Sequence, residues 1–426
     1  MLDIKQIRGN SELVKSNLTK RGDPENLKML DELIDYDKKW RQLLTRLNDL
    51  RHERRLVTTE IASLKKKGKE PREELPKAKG IDTEIAALER QVNESEEKVH
   101  HYLMRLPNLL HESVPTGKDE NDNVPIRTWG KIPKFTFQVK DHIDLALNLD
   151  VMDIERAGKI TGARFFYLKK EGVLLDMALM SFALEEMVKR GYTPIEPPFL
   201  MRRKPYEGVV ALSDFEDVLY KIENEDLYLI ATSEHPMAAM FMDEVLKAED
   251  LPLKLVGISP NFRKEAGAHG KDTRGIFRTR QFNKIEQFVF CKPEESWKIH
   301  EELIRNAEEL VQKLGLAYRV VNVCTGDMGT VAAKRYDVEV WMPAQNAYRE
   351  IISCSNDTDY QARRLNVRYR EKEGEPPKGF VHTLNSTAVA TGRTIVAILE
   401  NYQHEDGSVI IPGTLRKYMA GIEKIN

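Results

Sequence analysis

Apolar residues recur at intervals of three and four along two segments near the start of the chain, 33–64 and 78–106. This spacing places them on one side of a helix and is typical of coiled coils. The apolar positions in the first segment are Leu33, Trp40, Leu43, Leu47, Leu50, Val57, Ile61 and Leu64, with Tyr36 and Arg54 at the gap positions between them. Those in the second are Ala78, Ile81, Ile85, Leu88, Val92, Val99 and Leu106, with Ser95 and Tyr102 at the gap positions.

The link between these two segments, 65–71, is short and contains Gly68 and Pro71, which stop helices. Short links join antiparallel neighbours. We therefore predict an antiparallel two-helix coiled coil. A helix over 33–64 would be roughly 48 Å long, which is too long to fold back on a small core. The pair should project as an arm.

Beyond the coiled coil the pattern changes twice. Residues 107–134 contain four prolines and a cluster of acidic and amide side chains, which interrupt any periodicity and indicate a linker. From 135 onward, short apolar strands alternate with helices, and hairpin-like strand pairs predominate. The sequence therefore predicts an N-terminal helical domain (1–106), a linker (107–134) and an α+β domain (135–426) with an antiparallel sheet and flanking helices.

One helix of the second domain, Leu174–Arg190, is apolar on nearly all sides. A surface helix of a globular protein normally has one apolar stripe and one polar face. We therefore expect this helix to be buried on more than one side.

Charge bears on the possible partners. The 426 residues include 66 basic and 68 acidic side chains, so a nucleic-acid binder of this composition must concentrate its basic residues locally. Residues 46–79 hold eleven lysines and arginines against six acids, a net charge of +5. This basic part of the arm is either a nucleic-acid contact or the solvated surface of a coiled coil.

The cysteines and the hydropathy argue against a disulfide framework, a cysteine-rich zinc site and a membrane span. The three cysteines, Cys291, Cys324 and Cys354, lie far apart and form no CxxC pair. This pattern favours a reducing compartment and gives no cysteine-rich zinc signature. No apolar run reaches the length that a transmembrane helix needs. We expect a cytoplasmic protein without a membrane segment.

From 278 to 286, every second residue is charged or aromatic. Side chains on a strand alternate between two faces, so five of these residues would share one face. They are Arg278, Arg280, Phe282, Lys284 and Glu286. Arg263 and Glu265 would share a face of the preceding strand, across a long polar loop. Arginines bind phosphate, a ring stacks on a base and a carboxylate binds an amine, so ATP and an amino acid would satisfy this row.

Two later segments add to this chemistry. Residues 349–356, REIISCSN, offer the Glu350 carboxylate and the Ser353 hydroxyl as hard oxygen ligands for Mg²⁺, although SCSN could equally form a turn. Arg393 follows a glycine at the start of an apolar helical run, 391–400. An arginine at a helix N-terminus is well placed to bind phosphate.

Together these motifs resemble those of the class II seryl-tRNA synthetases. The stretch FRKE at 262–265 with QFNKIE at 281–286 resembles motif 2, and TGRTIVAILENYQ at 391–403 resembles motif 3. The apolar helix followed by GYTPIEPPF at 191–199 resembles motif 1. The sequences TSE at 232–234 and SCSN at 353–356 resemble the corresponding segments of the serine-specific members of class II. The resemblance covers essentially the whole chain, including the arm.

The resemblance implies a role for each candidate residue. The ATP-binding residues would be Arg263, Lys264, Glu265, Arg278, Phe282, Glu350, Ile351, Ile352, Ser353 and Arg393. The serine-binding residues would be Thr232, Ser233, Glu234, Glu286, Asn385 and Thr387. Arg263, Arg393 and Glu350 would be catalytic, and Glu350 and Ser353 would hold Mg²⁺. The residues that contact tRNA would be Arg51, Arg54, Arg55, Lys65, Lys66 and Lys67.

The implied activity is ATP-dependent attachment of L-serine to tRNA(Ser) through a seryl-adenylate, by a homodimer of the standard type without zinc. The tRNA for selenocysteine is a second candidate acceptor that the resemblance leaves open. Two alternatives stay open as well. A relative that loads amino acids onto carrier proteins would lack the arm, and a non-catalytic tRNA-binding paralogue would have lost phosphate-binding arginines or Glu286.

Overall fold

A computed structural model of the protein describes residues 1–265 and 275–426. The polar loop predicted between the two strands of 262–288 includes 266–274, which lie outside the described residues. The described chain forms two compact units, Met1–Pro107 and Asn108–Asn426. Among the described residues, no helix combines the length and the apolar character that a bilayer-crossing segment needs.

The first unit is helical, and the second combines helices with one large sheet. The helices are α1 (Ile4–Gly9), α2 (Ser11–Thr19), α3 (Pro24–Lys66), α4 (Glu74–Leu103), α5 (His142–Asn148), α6 (Ile154–Thr161), α7 (Glu171–Lys189), α8 (Arg203–Glu207), α9 (Asp214–Asp217), α10 (Glu234–Ala239), α11 (Ser296–Lys313), α12 (Tyr360–Leu365), α13 (Thr391–Asn401) and α14 (Gly413–Arg416). The strands of the large sheet are β1 (Val124–Trp129), β2 (Thr193–Ile195), β3 (Leu253–Phe262), β4 (Gln281–Cys291), β5 (Tyr318–Asn322), β6 (Lys334–Met342), β7 (Ala347–Thr358) and β8 (His382–Ala390). Short strands pair outside it: Val245–Lys247 with Arg368–Arg370 and Gly379–Phe380, Met152–Asp153 with Tyr167–Leu168, Leu200–Met201 with Tyr228–Leu229, and Val409–Ile410 with Lys424–Ile425.

The predicted antiparallel helix pair is confirmed as α3 and α4, which pack along their length. Tyr36 stacks on Tyr102 at one end, with ring centroids 5.9 Å apart, and Arg54 pairs with Asp82 farther along. As residue numbers rise along α3, the partners on α4 fall, which defines the antiparallel direction. Two of the gap positions in the heptad pattern, 36 and 102, therefore face each other.

The hairpin turn follows from its glycine. Gly68 has a φ of 68°, in the left-handed region that glycine adopts without a steric cost. The amide of Lys69 donates to the carbonyl of Leu64, and that of Gly68 to the carbonyl of Lys65. This pair of bonds is the Schellman arrangement, which satisfies the last carbonyls of a helix. The sequence 65–71 thus ends α3 as predicted.

Helices α1 and α2, for which the apolar pattern predicted nothing, pack near the base of α3. The carboxylate of Asp37, 3% exposed, lies on the α3 face turned toward them. Arg8 on α1 binds it through Nη2 at 2.5 Å, and Arg41 through Nε at 3.0 Å. A buried carboxylate needs such partners because an uncompensated charge is costly away from water.

The large sheet has the strand order β1-β5-β6-β7-β8-β4-β3-β2. Neighbours run antiparallel except β2 and β3, which are parallel. The predicted α+β class with a mainly antiparallel sheet is therefore confirmed. The edge strand β1 lies inside 107–134, where the sequence predicted a linker, and it contains Pro125, which is tolerated at a sheet edge. Helices α11 and α13 cover the sheet, and their apolar residues join its core.

The predicted charged face of the second strand is wrong in its extent. Strand β4 begins at Gln281, so Arg278 and Arg280 precede it, and β3 ends at Phe262, so Arg263 and Glu265 follow it. The amide of Arg263 still donates to the carbonyl of Arg280 at 2.9 Å. These two segments therefore stay hydrogen-bonded beyond the ends of the regular strands.

Helix α7 is buried on one side only within this chain. Leu175, Leu179 and Phe182 enter the core, whereas Leu174 and Met177 are exposed, Met177 by 56%. The sequence-based expectation of burial on more than one side is therefore not met within the single chain. The apolar residues on the outer side of this helix therefore face water in the single chain.

We expect Leu50→Ala to loosen the helical hairpin by about 2–3 kcal/mol, because it leaves a cavity in a packed apolar cluster. Leu50 is 2% exposed and packs with Val57, Ala78 and Ile81. Hydrogen exchange of the α3 and α4 amides in the full-length protein measures this change. The matched control is Leu56→Ala, since Leu56 is 58% exposed and should change little. Equal effects of the two substitutions would contradict the packing described here.

Candidate active site

A cavity of about 350 Å³ opens where the central strands of the large sheet meet the start of α13. Its wall is formed by Arg263, Glu265, Ile276, Phe277, Arg278, Thr279, Phe282, Lys284, Arg335, Glu350, Ile351, Ser353, Thr387, Ala390, Gly392 and Arg393. Nine of these residues were predicted from the sequence as ligand contacts: Arg263, Glu265, Arg278, Phe282, Glu350, Ile351, Ser353, Thr387 and Arg393.

Sheet register explains how residues so distant in sequence meet. Strands β7, β8 and β4 are neighbours in the sheet, which places Thr387 directly opposite Glu286 and Lys284 opposite Ala390. On the other side of β7, Ser353 lies opposite Asp337. The segments around 284, 350 and 387 therefore converge at the centre of a rigid sheet, where few backbone rearrangements are possible.

A β-bulge on β7 aims two of these side chains at the cavity. Ile352 pairs with Val338 and Glu350 with Glu339, so Ile351 is an extra residue on this strand. Strict alternation would place Glu350 and Ser353 on opposite faces of the strand. The extra residue reverses that relationship, and both side chains line the cavity.

Positive charge dominates the cavity wall, with five cationic side chains against two carboxylates. Glu350 compensates part of this charge, because its Oε1 lies 3.1 Å from Nη1 of Arg393 and its Oε2 lies 3.9 Å from Nη2 of Arg335. Removal from water by itself would raise the pKa of Glu350. The nearby Arg393, Arg335 and Arg263 outweigh this effect and hold the pKa at about 2, so the carboxylate is ionised at neutral pH.

Arg263 is held between an aromatic ring and a backbone carbonyl. Its guanidinium carbon lies 5.2 Å from the centroid of the Phe282 ring. Its Nε donates to the carbonyl of Ala231 at 3.3 Å. Phe282 remains partly accessible at the cavity wall, where a flat ring and a cation side by side suit a nucleotide base and its phosphate.

Buried polar groups lie behind the cavity wall. Nζ of Lys284 is 2.7 Å from Oε2 of Glu286, and both side chains are almost fully buried. Asn385 donates to Asp357 at 3.1 Å. Burial and the neighbouring carboxylate of Glu286 raise the pKa of Glu234 to about 7. Of these groups, Lys284 lines the cavity, and the others form a buried polar layer behind its wall.

Several predicted ligand residues do not line the cavity. Lys264 instead borders a separate depression with Arg203 and Lys221, and Ile352 is buried in the core. Ser233 is buried against Gly257, where an added Cβ would lie 2.6 Å from the Ser233 hydroxyl. The others, which lie outside the cavity lining, are Thr232, Glu234, Glu286 and Asn385.

Sequence reasoning missed Arg335 and Phe277. Arg335 on β6 binds the carboxylate of Asp337 through Nε at 2.7 Å and Nη2 at 2.5 Å, while also reaching the cavity. The ring of Phe277 lies under two guanidinium groups, 4.7 Å from Arg349 and 5.2 Å from Arg393. The alternating charges of KRYDVE at 334–339 were the available signal for Arg335. Phe277 precedes a strand and carried no periodic signal.

Two residues fit a magnesium ion that is shared with a bound phosphate. Within 1–265 and 275–426, no group of three or more His, Cys, Asp or Glu side chains is arranged to hold a metal ion. Mg²⁺ commonly binds through one or two carboxylates and takes its other ligands from substrate phosphates and water. An ionised Glu350 and the Ser353 hydroxyl, which line the same cavity, meet this description.

The six basic residues predicted to bind RNA differ in their surroundings. Arg51 binds Glu89 at 2.8 Å and Arg54 binds Asp82 at 2.7 Å, each across the helical hairpin. The remaining four are exposed and form no salt bridge to any described residue: Arg55, Lys65, Lys66 and Lys67. The exposed four are therefore the more accessible charges for an anionic partner.

Two known domain families match this chain, and each match lies almost entirely within one of the two compact units. Residues 1–110 match the seryl-tRNA synthetase N-terminal domain. Residues 218–402 match the tRNA synthetase class II core domain (G, H, P, S and T).

Full-length relatives share both parts. The serine–tRNA ligase of Methanocella arvoryzae is 53% identical over 423 residues, covering 99% of this chain and 100% of that protein. The crystal structure of seryl-tRNA synthetase from Pyrococcus horikoshii complexed with ATP superposes with a TM-score of 0.96 at 53% identity, covering 100% of this chain and 99% of the other. The cytoplasmic serine–tRNA ligase from Naegleria fowleri, in complex with AMP, gives a TM-score of 0.90 at 34% identity with the same coverage.

Identity above half along nearly the entire chain, with the same fold, leads to one assignment: the chain belongs to the seryl-tRNA synthetase family and is a class II aminoacyl-tRNA synthetase.

Proposed function

We propose that this protein attaches L-serine to tRNA(Ser) in two steps, through a seryl-adenylate made from ATP. The observation that carries the proposal is the cavity itself, whose wall holds an accessible aromatic ring and five cations. Behind this wall lies a buried layer of amide and carboxylate groups. The first set suits a nucleoside triphosphate, and the second suits the amine and hydroxyl of serine. The ATP and AMP complexes of the two related synthetases support this division.

In the first step the serine carboxylate attacks the α-phosphate of ATP, a phosphorus–oxygen bond forms, and pyrophosphate leaves. Arg263 would bind the α-phosphate while Phe282 stacks on adenine, and Arg278 would bind the outer phosphates. Arg393 would stabilise negative charge from the side of α13. In the second step the terminal ribose hydroxyl of tRNA takes the acyl group and AMP leaves. No side chain needs to become a nucleophile, so these residues act by orientation and charge stabilisation.

Glu350 and Ser353 would hold Mg²⁺ together with the bound phosphates. The ion would neutralise charge on the triphosphate as pyrophosphate departs. Arg393 and Glu350 pair with each other in the structure described here. We infer that phosphate takes Arg393 and the cation takes Glu350 when both bind.

For serine, we propose that Glu286 binds the amine and Thr387 binds the hydroxyl. The register that sets these two residues opposite each other on β4 and β8 supports this arrangement. The raised pKa of Glu234 would keep part of its population neutral, which reduces repulsion with Glu286.

We propose that α3 and α4 bind the tRNA through phosphate and shape. The net charge of +5 over 46–79 and the four exposed cations support this role. We further propose a homodimer that covers the exposed apolar side of α7, since Leu174, Met177 and Val188 would otherwise face water.

Removing either of two arginines should slow adenylation strongly. We expect Arg263→Ala and Arg393→Ala each to lower the rate of serine-dependent ATP–pyrophosphate exchange by about 10²–10³, the usual loss for one preorganised charge donor. Arg305→Ala, at an exposed position on α11, is the matched control and should retain activity. Near-normal exchange in either active-site variant would remove that arginine from the mechanism.

Serine analogues test the proposed pocket. A site that hydrogen-bonds a hydroxyl can reject an analogue without it by about 10⁴, so alanine should be a very poor substrate. Threonine keeps the hydroxyl and must be excluded by shape, which is a weaker filter. Activation, measured as kcat/KM, should therefore rank serine, threonine and alanine in decreasing order. Alanine activated as well as threonine would refute the assignment of Thr387 and Glu286.

Charge removal on the hairpin separates the two steps. We expect the joint variant with alanine at Arg55, Lys65, Lys66 and Lys67 to weaken tRNA binding and to flatten its salt dependence, since each lost phosphate contact removes about 0.9 from the log–log slope. Serine activation should be unchanged. The control variant, Glu94→Gln with Glu97→Gln, alters charge on α4 outside 46–79 and should not weaken binding. An unchanged salt slope in the alanine variant would exclude these cations as phosphate contacts.

A further inference from the structure

A chain of hydrogen bonds leads from a buried histidine to the arginine of the cavity wall. The hydroxyl of Tyr206, on α8, lies 2.9 Å from Nδ1 of His235, on α10. The same hydroxyl accepts the amide of Ala231 at 3.1 Å. The carbonyl of Ala231 in turn accepts Nε of Arg263 at 3.3 Å. One residue, Ala231, thus connects the tyrosine to the arginine.

The polarity of this chain follows from burial. Tyr206, Ala231 and His235 are all buried, and burial together with the nearby Lys284 and Arg263 keeps the pKa of His235 well below its ordinary value. A neutral His235 can accept the Tyr206 proton at Nδ1. The tyrosine oxygen is then left to accept from the Ala231 amide, and each group in the chain has a partner.

The backbone beside Ala231 is tied to the same segment as Arg263. The amide of Phe262 donates to the carbonyl of Ile230 at 2.9 Å. Residues 230–231 and 262–263 therefore run side by side, joined by one backbone bond and one side-chain bond. Phe282 limits the guanidinium from the other side. A change in the backbone torsions of Ala231 would displace the carbonyl that accepts from Nε of Arg263.

We propose that Tyr206 is a positioning residue for Arg263. It acts through the backbone of Ala231, whose amide it binds and whose carbonyl accepts from Arg263, while His235 orients its hydroxyl. The inference rests on the proposed function, in which Arg263 binds the α-phosphate. Tyr206 touches no substrate in this arrangement. Its contribution is to keep the Ala231 carbonyl directed at Nε, so that the terminal guanidinium nitrogens stay directed at the phosphate.

The test is a double-mutant cycle measured by serine-dependent ATP–pyrophosphate exchange. Tyr206→Phe removes only the hydroxyl, and we expect kcat to fall about tenfold with KM for serine unchanged, because one oriented hydrogen bond is lost. Arg263→Lys keeps the charge but has no Nε to bind the Ala231 carbonyl. In that background Tyr206→Phe should cost less than about twofold, since the two residues act as one unit.

The control for hydroxyl removal is Tyr402→Phe, whose hydroxyl donates to the Leu314 carbonyl at 2.6 Å away from the cavity lining. It should leave kcat unchanged in both backgrounds, and thermal unfolding of each variant reports its folding. A tenfold loss from Tyr206→Phe that persists unchanged with Arg263→Lys would overturn the positioning role alone. Absence of serine-dependent exchange in the unmodified protein would overturn the proposed function and the inference together.

Discussion

Compensation of concentrated positive charge is the constraint on which the rest of the site depends. Arg263 comes from the segment after β3, Arg335 from β6 and Arg393 from α13, and all three line one cavity. Like charges in one cavity repel strongly away from bulk water. Glu350 lies among them with a pKa of about 2, and Asp337 holds Arg335 from behind. The carboxylates let the protein keep these cations in place before any anionic ligand arrives, so little reorganisation accompanies binding.

The rigidity of this arrangement comes from where its parts are placed. Glu350, Thr387 and Lys284 lie on central strands that are paired on both sides, whereas Arg393 lies in the first turn of a buried helix. The segment from 230 to 235 is less regular, and side-chain bonds from Tyr206 supply the order that a strand would otherwise provide. The geometry of the site is thus maintained by strand pairing within the sheet. Outside the sheet it is maintained by hydrogen bonds between buried polar groups.

The sequence predicted the larger features because each rests on a repeated local pattern. Heptad spacing identified the helical hairpin, and Gly68 marked its turn. The structure adds that Tyr36 and Tyr102 face each other across the hairpin. Period-two alternation identified the two strands around the polar loop, but it overestimated their length, because charge alternation continues past the point where the ladder ends. Helices α1 and α2 are too short to show a period at all.

Several features of the site could not be predicted from such local patterns. The cavity contact of Arg335 depends on which strands are neighbours, and the separate placement of Lys264 depends on where β3 ends. Whether Ser233 is buried or accessible is decided by the close approach of Gly257, 24 residues away in the sequence. These are properties of tertiary packing, and motif resemblance supplied candidates for them without supplying their geometry.

The bulge at Ile351 has a consequence for how this strand can vary. Ile351 is the residue that breaks the alternation between Glu350 and Ser353, so the strand depends on the number of residues between these two positions. Exchanging Ile351 for another apolar side chain keeps that number, whereas losing one residue there would turn one of these two side chains away from the cavity. The main role of residue 351 in this strand is to set the spacing between Glu350 and Ser353, and the identity of its side chain matters less.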